Sequence, residues 1–298
     1  MKYNKPALSI DQQIDLLIQR GLIIKDVAKA QNYLSNISYY RLSAYALPFQ
    51  INNSPDHRFI TNTTFDSILD LYLFDRELRL LIFDVIERLE IAFRTQIIYN
   101  YSTNHGPLWF EDPKHFTNNF YYSKNLSKID EEIERSGEVF IDHFRSKYTS
   151  SNRPPAWMTF EVISMGLLSK VYRNLAMSDT KKAISKHFQV PTPYILESWM
   201  QSLTYVRNIC AHHSRLWNRI LTLKPQLLKK TNSPFLKHRD INPTKLYAFL
   251  SCCLYLLKVI NPNTNFGNHF RELLQKYPDV RLKSMGFPEK WEEEILWK

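Results

Sequence analysis

The stretch Val206-Arg207-Asn208-Ile209-Cys210-Ala211-His212-His213-Ser214-Arg215-Leu216-Trp217-Asn218-Arg219 separates into two stripes when it is placed on a helix at 100° per residue. The mostly apolar stripe recurs at spacings of three and four and consists of Leu203, Val206, Cys210, His213 and Trp217. The basic stripe consists of Asn208, His212, Arg215 and Arg219, with Arg207 beside it. A histidine flanked by an amide and several guanidiniums is suited to binding phosphate.

The composition of the whole chain predicts an all-α fold. The chain has 298 residues, of which 44% are hydrophobic and only six are glycine. Few glycines and long runs with a 3.6-residue period favour helices over strands. The expected organisation is an N-terminal helical extension over residues 1–60, a helical bundle over 61–262 and a C-terminal helical tail over 263–298.

The order of the predicted helices places the motif late in the bundle. The longest helix is expected from Thr64 to about Tyr101, and a polar helix from about Leu126 to Thr149. One apolar face then runs from Trp157 to Leu175, and the motif helix follows Pro193. Pro225 is expected to end the motif helix, and further helices are expected over about 180–188 and 244–260.

The charge distribution points to a polyanionic partner, with RNA or DNA as the leading candidates. The formal net charge is +10. Between Glu197 and Asp240 there is no carboxylate, while Lys and Arg number eight. Binding of phosphates is therefore expected at Arg215, Arg219, Lys229 and Lys230. The same asymmetry argues against a two-metal nuclease held by carboxylates, and a basic surface that binds nothing in particular is the alternative.

Cysteine usage and hydropathy indicate a cytoplasmic protein without a membrane span. The three cysteines are Cys210, Cys252 and Cys253, which suggests no disulfide framework. The first residues lack the apolar core of a signal peptide. The longest apolar run, Leu246 to Leu257, has about 12 residues, whereas roughly 20 are needed to span a bilayer.

Two further places offer side chains for an RNA strand. Tyr40 and Arg41 could stack on unpaired bases and clamp them, or the tyrosines could pack this segment onto the bundle. On the long helix, Arg88 or Arg94 could face His212, although many charges there would form surface pairs three or four residues apart. Arg94 has no acidic partner on its C-terminal side, which favours it as an RNA contact.

Three interpretations of His212 compete. As a catalytic residue it would exchange protons with the ribose 2′-hydroxyl or the leaving 5′-oxygen, with Arg207 stabilising the phosphate charge and Asn208 orienting the imidazole. As a metal ligand it would join Cys210, His213 and Cys252 or Cys253, at a spacing that matches no standard zinc motif. As a structural residue it would satisfy a polar interface. Helical phase assigns the neighbouring His213 to the core, in a packing or supporting role, and His213 is also counted among the candidate RNA contacts.

The motif also carries a family resemblance. Arg207-Asn208-x-x-x-His212 resembles the RNxxxH signature of HEPN-type ribonucleases. The longer string to Arg219 resembles the abortive-infection branch of that group, the Abi-like (AbiD/AbiF-like) proteins. Two further segments resemble the same family, one from Lys5-Pro6 through Tyr39–Leu42 to Leu47–Phe49 and the other at Pro154–Glu161.

The resemblance implies a HEPN-like helical bundle and a metal-independent endoribonuclease that needs no cofactor. Such an enzyme would leave a 2′,3′-cyclic phosphate and a 5′-hydroxyl, and would act in phage defence by abortive infection or as the toxin of a toxin–antitoxin pair. RNA would be its substrate, and in some relatives a structured noncoding RNA accompanies the protein. HEPN enzymes commonly pair two motifs, so a homodimer is expected. The rival interpretation is a non-catalytic RNA-binding protein that holds a structured noncoding RNA.

Overall fold

The computed structural model describes residues 6–228, 235–238 and 240–298, and within them the regular structure is helical. It contains twelve α-helices and no β-strand, which confirms the predicted all-α fold. The helices are α1 (Ile10–Gln19), α2 (Val27–Asn36), α3 (Tyr39–Ala46), α4 (Phe65–His105), α5 (Asn119–Arg135), α6 (Val139–Lys147), α7 (Ala156–Val162), α8 (Met165–Asn174), α9 (Asp179–His187), α10 (Pro193–Ala211), α11 (Leu246–Ile260) and α12 (Phe266–Lys276). None of the described helices is long and apolar enough to cross a bilayer.

The chain folds into two compact units. One contains the described residues up to Arg79 together with Arg271–Val280, and the other contains the described parts of Leu80–Phe270 and Arg281–Lys298. The 41-residue helix α4 contributes its first part to one unit and the remainder to the other.

The first unit begins as the sequence predicts. Ser9 caps α1, and its hydroxyl and the side chain of Gln12 bond each other's backbone N–H groups in a capping box. The charges of α4 are less conventional, because the pair Asp75 and Arg79 is enclosed in this unit instead of lying on its surface. Tyr45 donates a hydrogen bond to Asp75 at 2.6 Å, so the buried carboxylate is satisfied by a hydroxyl as well as by the guanidinium.

In the second unit, two predicted helices are each divided in two. The expected helix from Leu126 to Thr149 is instead α5 and α6, because α5 begins behind its cap Asn118, seven residues earlier than expected, and ends at Ser136. The face from Trp157 to Leu175 belongs to α7 and α8, which are separated at Ser164, the N-cap of α8. Local capping decides these boundaries, whereas apolar periodicity runs across them.

The core of the second unit is centred on α11, in which all residues from Leu246 to Leu257 are buried. Trp297, in a 3₁₀ turn at the end of the chain, donates a hydrogen bond to Ser251 of α11 at 3.1 Å. The aromatic rings of Phe270, Phe287 and Trp291 surround it at centroid distances of 5.2 to 5.7 Å. The C-terminal segment is therefore an integral part of this core.

Candidate functional site

Helix α10 presents one buried face and one face towards solvent. Thr192 caps its start by accepting a hydrogen bond from the backbone of Ile195, and Pro193 occupies the first turn, where its missing N–H costs nothing. The buried face consists of Leu196, Trp199, Met200, Ser202, Leu203, Val206, Ile209 and Cys210. The core positions predicted at Leu203, Val206 and Cys210 are therefore confirmed.

The helix ends inside the motif, at Ala211. Three backbone hydrogen bonds close it: His212 N–H to Asn208 at 3.0 Å, His213 N–H to Cys210 at 3.0 Å and Ser214 N–H to Ile209 at 2.9 Å. His213 adopts the left-handed conformation with φ of +54°. This is the Schellman arrangement, whose left-handed position is usually glycine. The helix ends at Ala211, so the expectation that it continues to Pro225 is wrong. The sequence did not reveal this end because a histidine, and not a glycine, occupies the left-handed position.

This termination moves every later residue of the motif off the helix. His213 is exposed, so its predicted place in the core is wrong. Trp217 is buried as expected, but it enters the core from the loop after α10 and not through helical phase. Arg215 and Arg219 are half-buried members of the same loop. The predicted stripe of four polar residues is thus not a helical stripe beyond His212.

The remaining motif residues lie together at the C-terminal end of α10. Arg207 is half-buried, while Asn208 and His212 are exposed. The guanidinium Nη1 of Arg207 donates to Asn208 Oδ1 at 3.5 Å, a long hydrogen bond that a competing phosphate oxygen would easily replace. His212 follows Asn208 by one turn and caps the helix. The last turn of α10 and its cap therefore carry a guanidinium, an amide and an imidazole.

Tyr205 lies close to these residues on α10, although it is not among the sites predicted from the sequence. It lies three residues before Asn208 and seven before His212, hence on the same side of the helix. Burial by itself raises the pKa of Tyr205. Hydrogen bonds with Thr222 and Arg219, together with the positive charge of Arg219, lower this pKa by more, so the net shift is downward. Helical phase alone would have included Tyr205, but its contact with Arg219 depends on how the loop folds back.

Arg219 fastens the loop onto α10. Besides contacting Tyr205, its Nη1 donates to the backbone carbonyl of Arg215 at 3.3 Å. Both residues therefore remain beside the motif despite the early end of the helix. Lys229 and Lys230, the other predicted phosphate contacts, lie outside the described residues.

The thiols near the motif are poorly suited to hold a metal ion. Cys210, Cys252 and Cys253 are all buried, whereas His212 and His213 face solvent. Burial raises the pKa of Cys252 and of Cys253 well above its ordinary value, which keeps both thiols protonated, and a metal binds the thiolate. In the described part of the chain, no group of three or more metal-ligating side chains converges.

The predicted contacts outside the motif differ in accessibility. Tyr40 is 86% exposed and its neighbour Arg41 is also exposed, so Tyr40 does not pack the N-terminal segment. Tyr39 does help to hold that segment, because its hydroxyl accepts a hydrogen bond from Arg20 at 2.7 Å. These residues belong to the first compact unit.

The two arginines of α4 divide clearly. Arg88 is exposed and pairs with Asp84 at 3.1 Å, the surface pairing that the sequence left open. Arg94 is only 7% exposed, donates to the carbonyl of Ile163 at 3.0 Å and pairs with Glu90 at 2.8 Å. Its acidic partner thus lies on its N-terminal side. A guanidinium so enclosed does not reach an RNA strand, which removes Arg94 from the candidate contacts.

Comparison with curated proteins and with solved structures gives no match. The model of the family described as Abi-like protein matches residues 32–218, more than half of the chain. The match includes Tyr40 and Arg41 and ends one residue before Arg219, so it contains Arg207, Asn208 and His212. This chain belongs to the Abi-like family.

Proposed function

We propose that this protein is a metal-independent endoribonuclease that acts in phage defence by abortive infection or as a toxin. The observation that carries the proposal is the joint placement of Arg207, Asn208 and His212 at the solvent-facing end of α10. That end is followed by a segment without any carboxylate before Asp240. An imidazole beside a guanidinium supplies both proton transfer and phosphate stabilisation.

The reaction begins with attack of the ribose 2′-oxygen on the adjacent phosphorus. His212 removes the 2′-hydroxyl proton as the bond from O2′ to phosphorus forms. Arg207 stabilises the charge that builds on the phosphate oxygens, with geometry that lysine does not reproduce. The bond from phosphorus to O5′ then breaks, and O5′ takes up a proton. The products are a 2′,3′-cyclic phosphate and a 5′-hydroxyl.

Departure of the 5′-oxygen requires an acid, and the proposal assigns this role to one of two histidines. His213 is exposed directly after His212, in a left-handed conformation that costs about 1 kcal/mol or more in a residue other than glycine. The second imidazole comes either from this residue or from His212 of a second copy in a homodimer. Strain held at a site of this kind is a reason to test His213 for function.

A second candidate function is a non-catalytic protein that holds a structured noncoding RNA. The observation that favours it is the exposed pair Tyr40 and Arg41, which is suited to stack on and clamp unpaired bases. The two functions are compatible if such an RNA restrains the enzyme.

Incubation of the purified protein with a generic single-stranded RNA in excess EDTA distinguishes the candidates. Cleavage by the wild type, its loss in His212→Ala and its retention in His143→Ala would support the enzyme. His143 is an exposed histidine of α6 and serves as the matched control. RNA binding without cleavage under these conditions would favour the second candidate.

A further inference from the structure

A cavity of about 880 Å³ lies within the second unit, between α5, α8 and the first turns of α10. It is separate from the motif, because Glu197 in its wall and His212 are fifteen residues apart on α10. At 1.5 Å per residue this is about 22 Å. The volume lies within the range of small-molecule sites, roughly 300–1,000 Å³.

The frame of the cavity is held in place by side chains that bridge its helices. The amide of Asn174 donates to the carbonyl of Asn118 at 3.0 Å and accepts from its N–H at 3.1 Å, which joins the end of α8 to the start of α5. Glu132 of α5 accepts hydrogen bonds from the backbone and the hydroxyl of Ser164, at 2.5 and 3.0 Å. Hydrogen bonds within the protein therefore hold the walls of the cavity in place, and no ligand is needed for this.

Positive charge dominates the lining. Its cations are Lys124, Lys128, Lys170, Arg173 and Lys181, and its only carboxylates in the described chain are Glu132 and Glu197. Both carboxylates are already engaged, Glu132 at Ser164 and Glu197 with the buried Lys181 at 2.8 Å. Lys124, Lys170 and Arg173 are exposed and have no carboxylate within 4 Å among the described residues. The cavity therefore attracts an anion.

One amide in the lining keeps its polar atoms accessible within the cavity. Asn125 is only 7% exposed, and in the described part of the chain its side chain makes no hydrogen bond. The side-chain amide of Asn125 can donate one hydrogen bond and accept another. The edge of a nucleobase offers the matching acceptor and donor.

Flat apolar surfaces complete the cavity. Tyr121 and Tyr194 stand at its rim with about half or more of each side chain exposed, and Leu167 lies beneath. Aromatic side chains so placed stack on bases, at about 1–3 kcal/mol for each base.

We propose that this cavity binds a phosphorylated nucleoside, with the base against Asn125 and the tyrosines and the phosphate at Lys124, Lys170 and Arg173. The nucleoside is either a free nucleotide or one nucleotide of an RNA strand. The proposal does not rest on ribonuclease activity, because a protein that never cleaves RNA would still bind through this cavity.

Isothermal titration calorimetry tests the site in the full chain with His212→Ala, which prevents cleavage during the measurement. The probes are ATP, adenosine, inorganic phosphate and a short single-stranded oligoadenylate. ATP is expected to bind at least about tenfold more tightly than adenosine or phosphate. Adenosine lacks the phosphate that the cations bind, and phosphate lacks the base that Asn125 and the tyrosines bind. Lys170→Glu and Asn125→Leu should each weaken ATP about tenfold or more, whereas Lys186→Glu on the neighbouring α9 should not.

The oligonucleotide identifies the source of the ligand. Tight binding of oligoadenylate that Lys170→Glu abolishes, with weak ATP binding, assigns the cavity to an RNA strand. ATP binding that oligoadenylate fails to displace assigns it to a free nucleotide. The proposal is overturned if neither probe binds, or if Lys170→Glu and Arg173→Glu both bind like the wild type. It is also overturned if phosphate alone binds as tightly as ATP.

Asn125→Leu needs its own control, because the residue is buried. Thermal unfolding should show nearly unchanged stability, since the substitution removes an amide that makes no hydrogen bond within the described protein and keeps the volume nearly constant. A loss of stability would assign Asn125 a structural role and overturn its part in recognition, leaving the phosphate subsite to Lys170 and Arg173.

Discussion

The backbone N–H of Ser214 donates to the carbonyl of Ile209 at 2.9 Å, and this bond turns the chain out of α10 within the motif. It places His212 at the helix cap and His213 in a left-handed turn, both facing solvent. The geometry of the candidate site therefore depends on a helix end and not on a continuous helical stripe.

Arg207→Ala and His212→Ala should each abolish RNA cleavage and leave the fold intact, because Arg207 is half-buried at most and His212 is exposed. Loss of one proton-transfer group lowers the rate by about 10²–10⁴-fold. The double variant should be hardly slower than either single variant, since the two groups act as a unit. Cleavage rates and circular dichroism measure this, with His143→Ala as the control. Independent, multiplicative losses would contradict a joint role.

His213→Gly and His213→Ala should differ in stability although both remove the imidazole. Glycine adopts the left-handed conformation freely, so the glycine variant should be more stable than the alanine variant by about 1 kcal/mol. Urea unfolding gives this difference. If both variants also lose cleavage, His213 takes part in catalysis. Full activity in both would assign the acid to another group.

RNA affinity should fall with rising salt, because bound phosphates release counterions. Each single charge reversal should reduce the slope of log affinity against log salt concentration by about one unit. The positions to reverse are Arg215, Arg219, Lys229 and Lys230. Filter binding over a salt series measures the slope, and Lys186→Glu should leave it unchanged. A slope near zero in the wild type would exclude this region as the phosphate-binding surface.

Glu294 should make stability fall in acid. Burial by itself raises the pKa of the Glu294 carboxyl. Hydrogen bonds from the backbone N–H groups of Lys237 and His238 and from the side chain of His238 lower this pKa by more, so that it lies below the ordinary 4.5. Its contribution is thus complete above pH 4.5 and is lost as the pH falls through the lowered value. Glu294→Gln should remove about 2 kcal/mol at pH 7 and flatten the acid limb. An unchanged pH profile in that variant would contradict this assignment.

A homodimer is the expected active form if the second imidazole comes from another copy. In a two-fold arrangement the same face of each protomer meets the other, which joins two motifs at one cleft. Mixing the Arg207→Ala and His212→Ala proteins should then restore part of the cleavage. No recovery, together with a monomer by light scattering with and without RNA, would rule out the shared cleft.

The amino-acid sequence by itself determined the helical fold, the buried face of α10 and the carboxylate-free segment after it. Periodicity and charge are local properties, so residues such as Leu203, Val206 and Cys210 reveal their environment without the rest of the chain. The resemblance to the Abi-like family likewise lay in short segments of the sequence, and the family model that matches residues 32–218 confirms that membership.

Only the tertiary structure decided which polar residues reach solvent. Arg88 and Arg94 both lie on α4, and each has an acidic partner four residues earlier. Arg88 is nevertheless exposed, whereas Arg94 is buried and donates a hydrogen bond to the carbonyl of Ile163. His213 faces solvent because three backbone bonds end the helix just before it. The nucleotide-sized cavity joins α5, α8 and α10, which are distant in sequence. Such contacts depend on packing between segments, and no local pattern encodes them.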